Sequence, residues 1–158
     1  DARLTRSQLA GILGIDEPDV REGTLWVDTG SEQLIVPLAS VEAVQHCRPN
    51  VERLVNECVG VKRRGLAYVW AREDAKRIRV RFFFEKQSGL TEDPGTGSAC
   101  ANLGGWFIAR GESLPLEATI MQGDHLGRAC RLGLRVDEQQ RIFVWGRVIE
   151  IGRGAITM

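Results

Sequence analysis

The sequence predicts an α+β fold in which a curved, mostly antiparallel sheet wraps around one central apolar helix. Three observations carry this expectation. Strand-like runs precede the segment Glu85–Gly97, further strand-like runs follow Glu117, and between them Ser98–Ala109 reads as a helix with almost no polar face. A helix apolar on nearly all sides is surrounded by protein, and the strands before and after it supply the layer that does so.

The elements follow in order. Leu9, Ile12 and Leu13 recur at helical spacing behind a Thr5 or Ser7 cap, and Gly14 is a natural stop, so Thr5–Leu13 is a short amphipathic helix. Leu25–Val27 and Gln33–Leu38 read as strands separated by Thr29-Gly30-Ser31, either as a hairpin or as sheet neighbours, with Pro37 tolerable near a strand end. Helical spacing returns in Val41–Gln45 and Asn50–Val59, both read as surface layers, with Pro49 and Asn50 marking the second start. Leu66–Trp70 and Ile78–Phe84 are strands, made antiparallel by a reversal over Ala71–Lys76. Glu85–Gly97 reads as a polar loop, and after the apolar helix come strands over Glu117–Met121, Gly127–Val136 and Arg141–Ile151.

Composition narrows the function classes. With 158 residues, 43% hydrophobic and 27% charged, the whole of 1–158 is expected to form a single domain whose core needs neither disulfide nor metal. Lys plus Arg and Asp plus Glu number 21 each, so no global field attracts nucleic acid or an anionic membrane. The basic run Lys62-Arg63-Arg64 has Glu57, Glu73 and Asp74 nearby and reads as an exposed loop. Cys47, Cys58, Cys100 and Cys130 form no CxxC pair and follow no signal peptide or long apolar run, which predicts buried free thiols in a reducing cytosol. A zinc set of His46, Cys47, Cys58 and His125 is disfavoured because adjacent His and Cys cannot easily face one tetrahedral ion, so no metal is expected. The chain opens on Asp1 rather than Met, a start compatible with a fragment.

One segment carries chemistry. Thr91-Glu92-Asp93-Pro94-Gly95-Thr96-Gly97-Ser98 leads directly into the apolar helix, whose unpaired N–H groups and positive end form an anion site. Gly95 and Gly97 let the backbone approach a ligand, Thr96 and Ser98 add hydroxyl donors, and Asp93 stands at the rim as an acceptor or acid. Asp, Thr, Ser and Gly are equally what a plain cap and turn require. The residues alone leave both readings open.

Glu92-Asp93-Pro94-Gly95-Thr96-Gly97-Ser98-Ala99, following the aromatic Arg81-Phe82-Phe83, closely resembles the EDPxTGSA signature of the phenazine-biosynthesis PhzF family. Val27-Asp28-Thr29-Gly30 with Leu34–Leu38, Gln122-Gly123-Asp124-His125-Leu126-Gly127-Arg128, and Trp145–Val148 with Gly152–Gly154 resemble further segments of that family, in the same order. The resemblance spans nearly the whole chain but only the carboxy-terminal half of a family member. It implies one half of a diaminopimelate epimerase-like fold and, in the intact protein, a cofactor-independent isomerase acting by proton transfer on a small carboxylated metabolite. It implies Asp93 as a catalytic substrate-orienting or proton-relay carboxylate, and Gly95, Thr96, Gly97 and Ser98 as the substrate-binding loop. The family's general acid/base glutamate and glycine-histidine segment have no counterpart here, which predicts an inactive isolated chain. Pro94 stands where cysteine-dependent epimerases carry their nucleophile, and Cys100 is expected to be a small buried thiol. An isolated half would expose the surface that meets its twin, so a homo-oligomer or a complementary amino-terminal half is the expected partner. A non-catalytic anion-binding or self-assembling module is the alternative.

Overall fold

The computed structural model describes residues 2–61, 65–86 and 89–155. Helix α1 (Arg6–Leu13) begins at a capping box in which Thr5 accepts from the Gln8 amide and Gln8 accepts from the Thr5 amide. Strands β1 (Leu25–Asp28) and β2 (Glu32–Pro37) form an antiparallel hairpin, the first of the two arrangements left open by the sequence. Helices α2 (Val41–His46) and α3 (Val51–Glu57) follow, capped by Ser40 and Asn50. Strands β3 (Leu66–Arg72) and β4 (Arg77–Lys86) pair antiparallel around the expected reversal, and β5 (Gly89–Asp93) precedes helix α4 (Gly97–Ala109). Strands β6 (Leu116–Gln122), β7 (Cys130–Val136) and β8 (Ile142–Gly146) complete the sheet.

The sheet runs β1-β2-β3-β4-β6-β7-β8, with β5 added to β4. Of its seven pairings, β2–β3 and β4–β6 are parallel and the other five antiparallel, so the expected α+β architecture of a curved, mostly antiparallel sheet around an apolar helix is borne out. Alternation along the strands splits the core in two. Ile35, Tyr68, Trp70, Val80, Phe82, Ile120 and Leu134 face α4, while Leu34, Val36, Val69, Ala71 and Phe83 face α1, α2 and α3. Trp106 anchors α4: its ring is edge-on to Trp70 at 4.9 Å between centroids, and its Nε1 donates to the Gly23 carbonyl at 2.7 Å.

Two expectations need correction. Glu85–Gly97 is not wholly a loop, because β4 runs on to Lys86 and its exposed edge pairs with Gly89–Asp93. The last strand stops at Gly146 rather than Ile151, since Gly146 already pairs with Leu132 and β7 offers only Arg131 and Cys130 beyond it. The run Lys62-Arg63-Arg64 lies outside the described residues. No helix among the described residues is long and apolar enough to cross a membrane.

Candidate functional site

One edge of β4 serves two strands. Its first residues, Arg77–Arg79, pair with Thr119–Met121 of β6, and its last, Phe82–Lys86, pair with Gly89–Asp93 of β5. Between these pairings, opposite Val80 and Arg81, β5 turns through Pro94–Thr96 into α4 and β6 ends at Gln122. The sequence-predicted loop therefore sits where the two strands part.

Pairing decides which way each acid of the loop points. Glu92 is opposite Phe83 and faces the α2 side; Asp93 is opposite Phe82 and faces the α4 side. Glu92 joins a buried bidentate pair with Arg81 at 2.7 and 3.0 Å. Arg81 also donates to the carbonyls of Val44, Gln45 and Cys47 at the end of α2 and lies 4.6 Å from the centre of the Phe83 ring. This acid of the motif thus fixes the layer behind the loop, and its neighbour is left for the cavity.

The loop is held by a side chain distant in sequence. Gln122, fully buried, donates through Nε2 to the Asp93 carbonyl at 2.7 Å and to Thr96 Oγ1 at 2.9 Å, and its Oε1 accepts from the Thr96 amide at 3.1 Å. The Thr96 hydroxyl in turn donates to Asp93 Oδ2. Gly95 is needed for a close approach, because a Cβ there would come within 2.6 Å of Cys130 Sγ. Gly123 has φ 79° and its space for a Cβ is filled by the Pro94 and Arg128 carbonyls.

A second relay places Ser98. Its hydroxyl accepts from Gln33 Nε2 at 3.0 Å, and Gln33 Oε1 accepts from Asn102 Nδ2 at 2.7 Å. Asn102 Oδ1 takes both the amide and the hydroxyl of Thr29. Asn102 and Gln33 are buried, so this chain ties the first turns of α4 to the β1–β2 hairpin.

Asp93, Thr96 and Ser98 line one open cavity of about 580 Å³, together with Gln33 and the aromatic wall Phe82 and Phe84. Gly95 turns away toward Cys130, and Gly97 starts α4 with open space around its Cα. Thr96 is the N-cap of α4 without a side-chain capping bond, so the first amides of the helix are left for a ligand or water. Among the described residues the charged groups lining the cavity are the carboxylates Asp93 and Glu85, and the attraction these residues offer an anion comes from the helix end. Glu85, Gln33, Asn102 and Gln122 were not singled out in the sequence. Of these, Gln122 had a signal, the resemblance of Gln122–Arg128 to a family segment, and Asn102 had another as the lone amide of an otherwise apolar helix.

Three of the four cysteines are the buried thiols expected, and Cys130 departs from that expectation because it lies at the start of β7, where the loop at Gly95 covers it only in part. Cys47, Cys58 and Cys100 are fully buried, and burial pushes each thiol up to about 12, so all three stay protonated near neutrality; Cys130 is half-buried. No group of three or more His, Cys, Asp or Glu side chains among the described residues is placed to hold a metal ion.

The model of the phenazine biosynthesis-like protein family matches residues 5–154. The chain belongs to this family. It is 39% identical over 149 residues to an uncharacterized isomerase of Pasteurella multocida, covering 94% of this chain and 49% of that protein. It is 30% identical over 154 residues to an uncharacterized isomerase of Pseudomonas aeruginosa, covering 96% of this chain and 51% of that one. Among solved structures, the phenazine biosynthesis protein of the PhzF family from Bacillus anthracis superposes with a TM-score of 0.71 at 21% identity, over 91% of this chain and 52% of that one. A predicted epimerase of Pseudomonas aeruginosa gives 0.62 at 22% identity, over 97% and 54%. The chain thus spans about half the length of the relatives it matches, and it is homologous to one half of the Pasteurella and Pseudomonas proteins named as isomerases.

Proposed function

We propose that this chain is the loop-bearing half of a cofactor-independent isomerase or epimerase that moves a proton next to the carboxylate of a small substrate. The observation that carries the reading is the convergence of Asp93, Thr96 and Ser98 on one cavity at the N-terminus of α4, on a loop held by buried Gln122. In this reading the Gly97 and Ser98 amides and the Ser98 hydroxyl receive the carboxylate or the oxyanion that develops from it, while Thr96, its amide held by Gln122, and Gly95, packed toward Cys130, shape the loop that presents them. Asp93, its carboxylate accepting from Thr96, orients the substrate or relays the proton. A second carboxylic acid enters from a complementary half, which also closes the open cavity against water.

The lining, whose charged groups among the described residues are carboxylates, favours a second reading, a module that uses the helix end for weak anion binding or assembly without chemistry. Two measurements separate them. Titration of ¹⁵N-labelled protein with succinate is expected to shift the Gly97 and Ser98 amides, and Ser98→Ala is expected to weaken that response. Unmoved loop amides would reject both readings. Reconstitution with the amino-terminal half of a relative, followed by solvent deuterium uptake into small unsaturated or α-substituted carboxylic acids, tests catalysis. Uptake abolished by Asp93→Asn, with succinate binding retained, supports the isomerase; no uptake by any reconstituted pair leaves the module.

A further inference from the structure

Outside the cavity, the outward face of β6–β8 carries a feature that the proposed reaction does not use. Its outward positions Glu117, Thr119, Arg131, Arg135, Phe143 and Trp145 are exposed, whereas the same face of β2–β4 is covered by α1, α2 and α3. Trp145 does not stand away from this surface. In the paired row Thr119–Gly133–Trp145 the indole lies over Gly133, where a Cβ would overlap the ring. One face of the ring is seated on the backbone of β7, yet Trp145 remains 49% exposed, while Trp70 and Trp106 are each 6% exposed in the core.

A groove of about 440 Å³ opens beside the ring, and among the described residues Lys76, Arg131 and Arg147 line it with one carboxylate, Glu117. Arg131 is already paired with Asp124, but Lys76 and Arg147 have no acidic partner among the described residues. We propose that this groove binds a planar aromatic ring carrying an anionic group, a phosphate or a carboxylate. The ring stacks on the free face of Trp145, and the anion meets Lys76 and Arg147. Glycine at 133 is what permits the flat seat, because any side chain there would tilt the indole off the sheet and remove the stacking plane. A simple surface cation cluster would need no such seat, and an aromatic held flat beside unpaired cations offers the two halves of the recognition together.

Isothermal titration with adenosine monophosphate, nicotinate, adenosine and inorganic phosphate tests the proposal, with sedimentation of the protein alone and with each ligand. The ring-bearing anions are expected to bind more tightly than adenosine or inorganic phosphate. Trp145→Leu is expected to weaken both by about fivefold or more, the loss of one stacked ring. The double change Lys76→Ala with Arg147→Ala is expected to weaken both anions, with adenosine unaffected, and added salt is expected to reproduce that pattern. Preference for the monophosphate assigns the phosphate source, and preference for nicotinate the carboxylate. Equal affinity in wild type and Trp145→Leu would overturn the proposal, as would inorganic phosphate binding as tightly as the monophosphate. A dimer that dissociates on Trp145→Leu would also overturn it, by giving the groove to a second copy.

Discussion

Gln122→Met removes the hold on the loop while nearly conserving side-chain volume, since methionine is unbranched and flexible enough to fill the same space. The wild-type side chain makes three hydrogen bonds to Asp93 and Thr96, at 2.7, 2.9 and 3.1 Å. Methionine leaves the Thr96 amide without its acceptor and the Asp93 carbonyl without its donor. A buried group left unpaired costs about 1–3 kcal/mol, but Asp93 and Thr96 are only half-buried, so water replaces part of the loss. The expected total is about 2–3 kcal/mol, or roughly 5–10 °C in Tm for a chain of this size. Urea and thermal unfolding give the stability, and the ¹⁵N shifts of Thr96, Gly97 and Ser98 report the loop itself. Stability within about 0.5 kcal/mol of wild type, the ordinary spread of a surface change, together with unmoved loop amides would refute the claim that Gln122 positions the site.

Three further outcomes follow from the packing. Arg81→Met strands Glu92 in the interior and frees three carbonyls at the end of α2, so urea unfolding is expected to show a loss of about 3–5 kcal/mol, the usual result of breaking a buried pair. Trp106→Ala deletes the ring packed on Trp70 and Phe107 and the bond to Gly23, and is expected to cost about 3–5 kcal/mol by the same assay. The buried thiols make stability fall at alkaline pH. Cys47, Cys58 and Cys100 titrate at about 12 in the fold, above their unfolded value, so their contribution is complete below about pH 8.5 and lost as pH rises through that interval. The urea midpoint is expected to drop between pH 8 and pH 10 by ionisation of the unfolded thiols, with only Cys130 reacting quickly with a thiol reagent in native protein; a flat midpoint would refute this.

The relation between sequence and structure varies from element to element. Periodicity located α1, α2, α3 and β4 because burying one face imposes a repeat that the residues record directly. The apolar run Ala99–Ala109 announced a helix surrounded by sheet, and Trp106 and Phe107 are buried in it. Gly89–Asp93 carries no strand signal because Gly89, Glu92 and Asp93 disfavour strands and outweigh Leu90 and Thr91 over so short a run. It becomes β5 through hydrogen bonds offered by the free edge of β4. Val148, Ile149 and Ile151 continue the apolar pattern past the end of the last strand, where β7 has only Arg131 and Cys130 left to pair.

The same division runs through the candidate site. The sequence by itself determined the loop Asp93–Ser98, its glycines and its place at the start of the apolar helix, since all are contiguous and act on local backbone geometry. Tertiary structure decided that Glu92 turns into a structural ion pair while Asp93 faces the cavity, because the strand pairing of β5 sends successive side chains to opposite faces. It also brought Gln33 and Gln122 to Ser98 and Thr96 from β2 and β6, across separations of 65 and 26 residues. Hydrogen bonds between residues so far apart leave no periodic trace in a single chain, and only the register of the sheet brings them together.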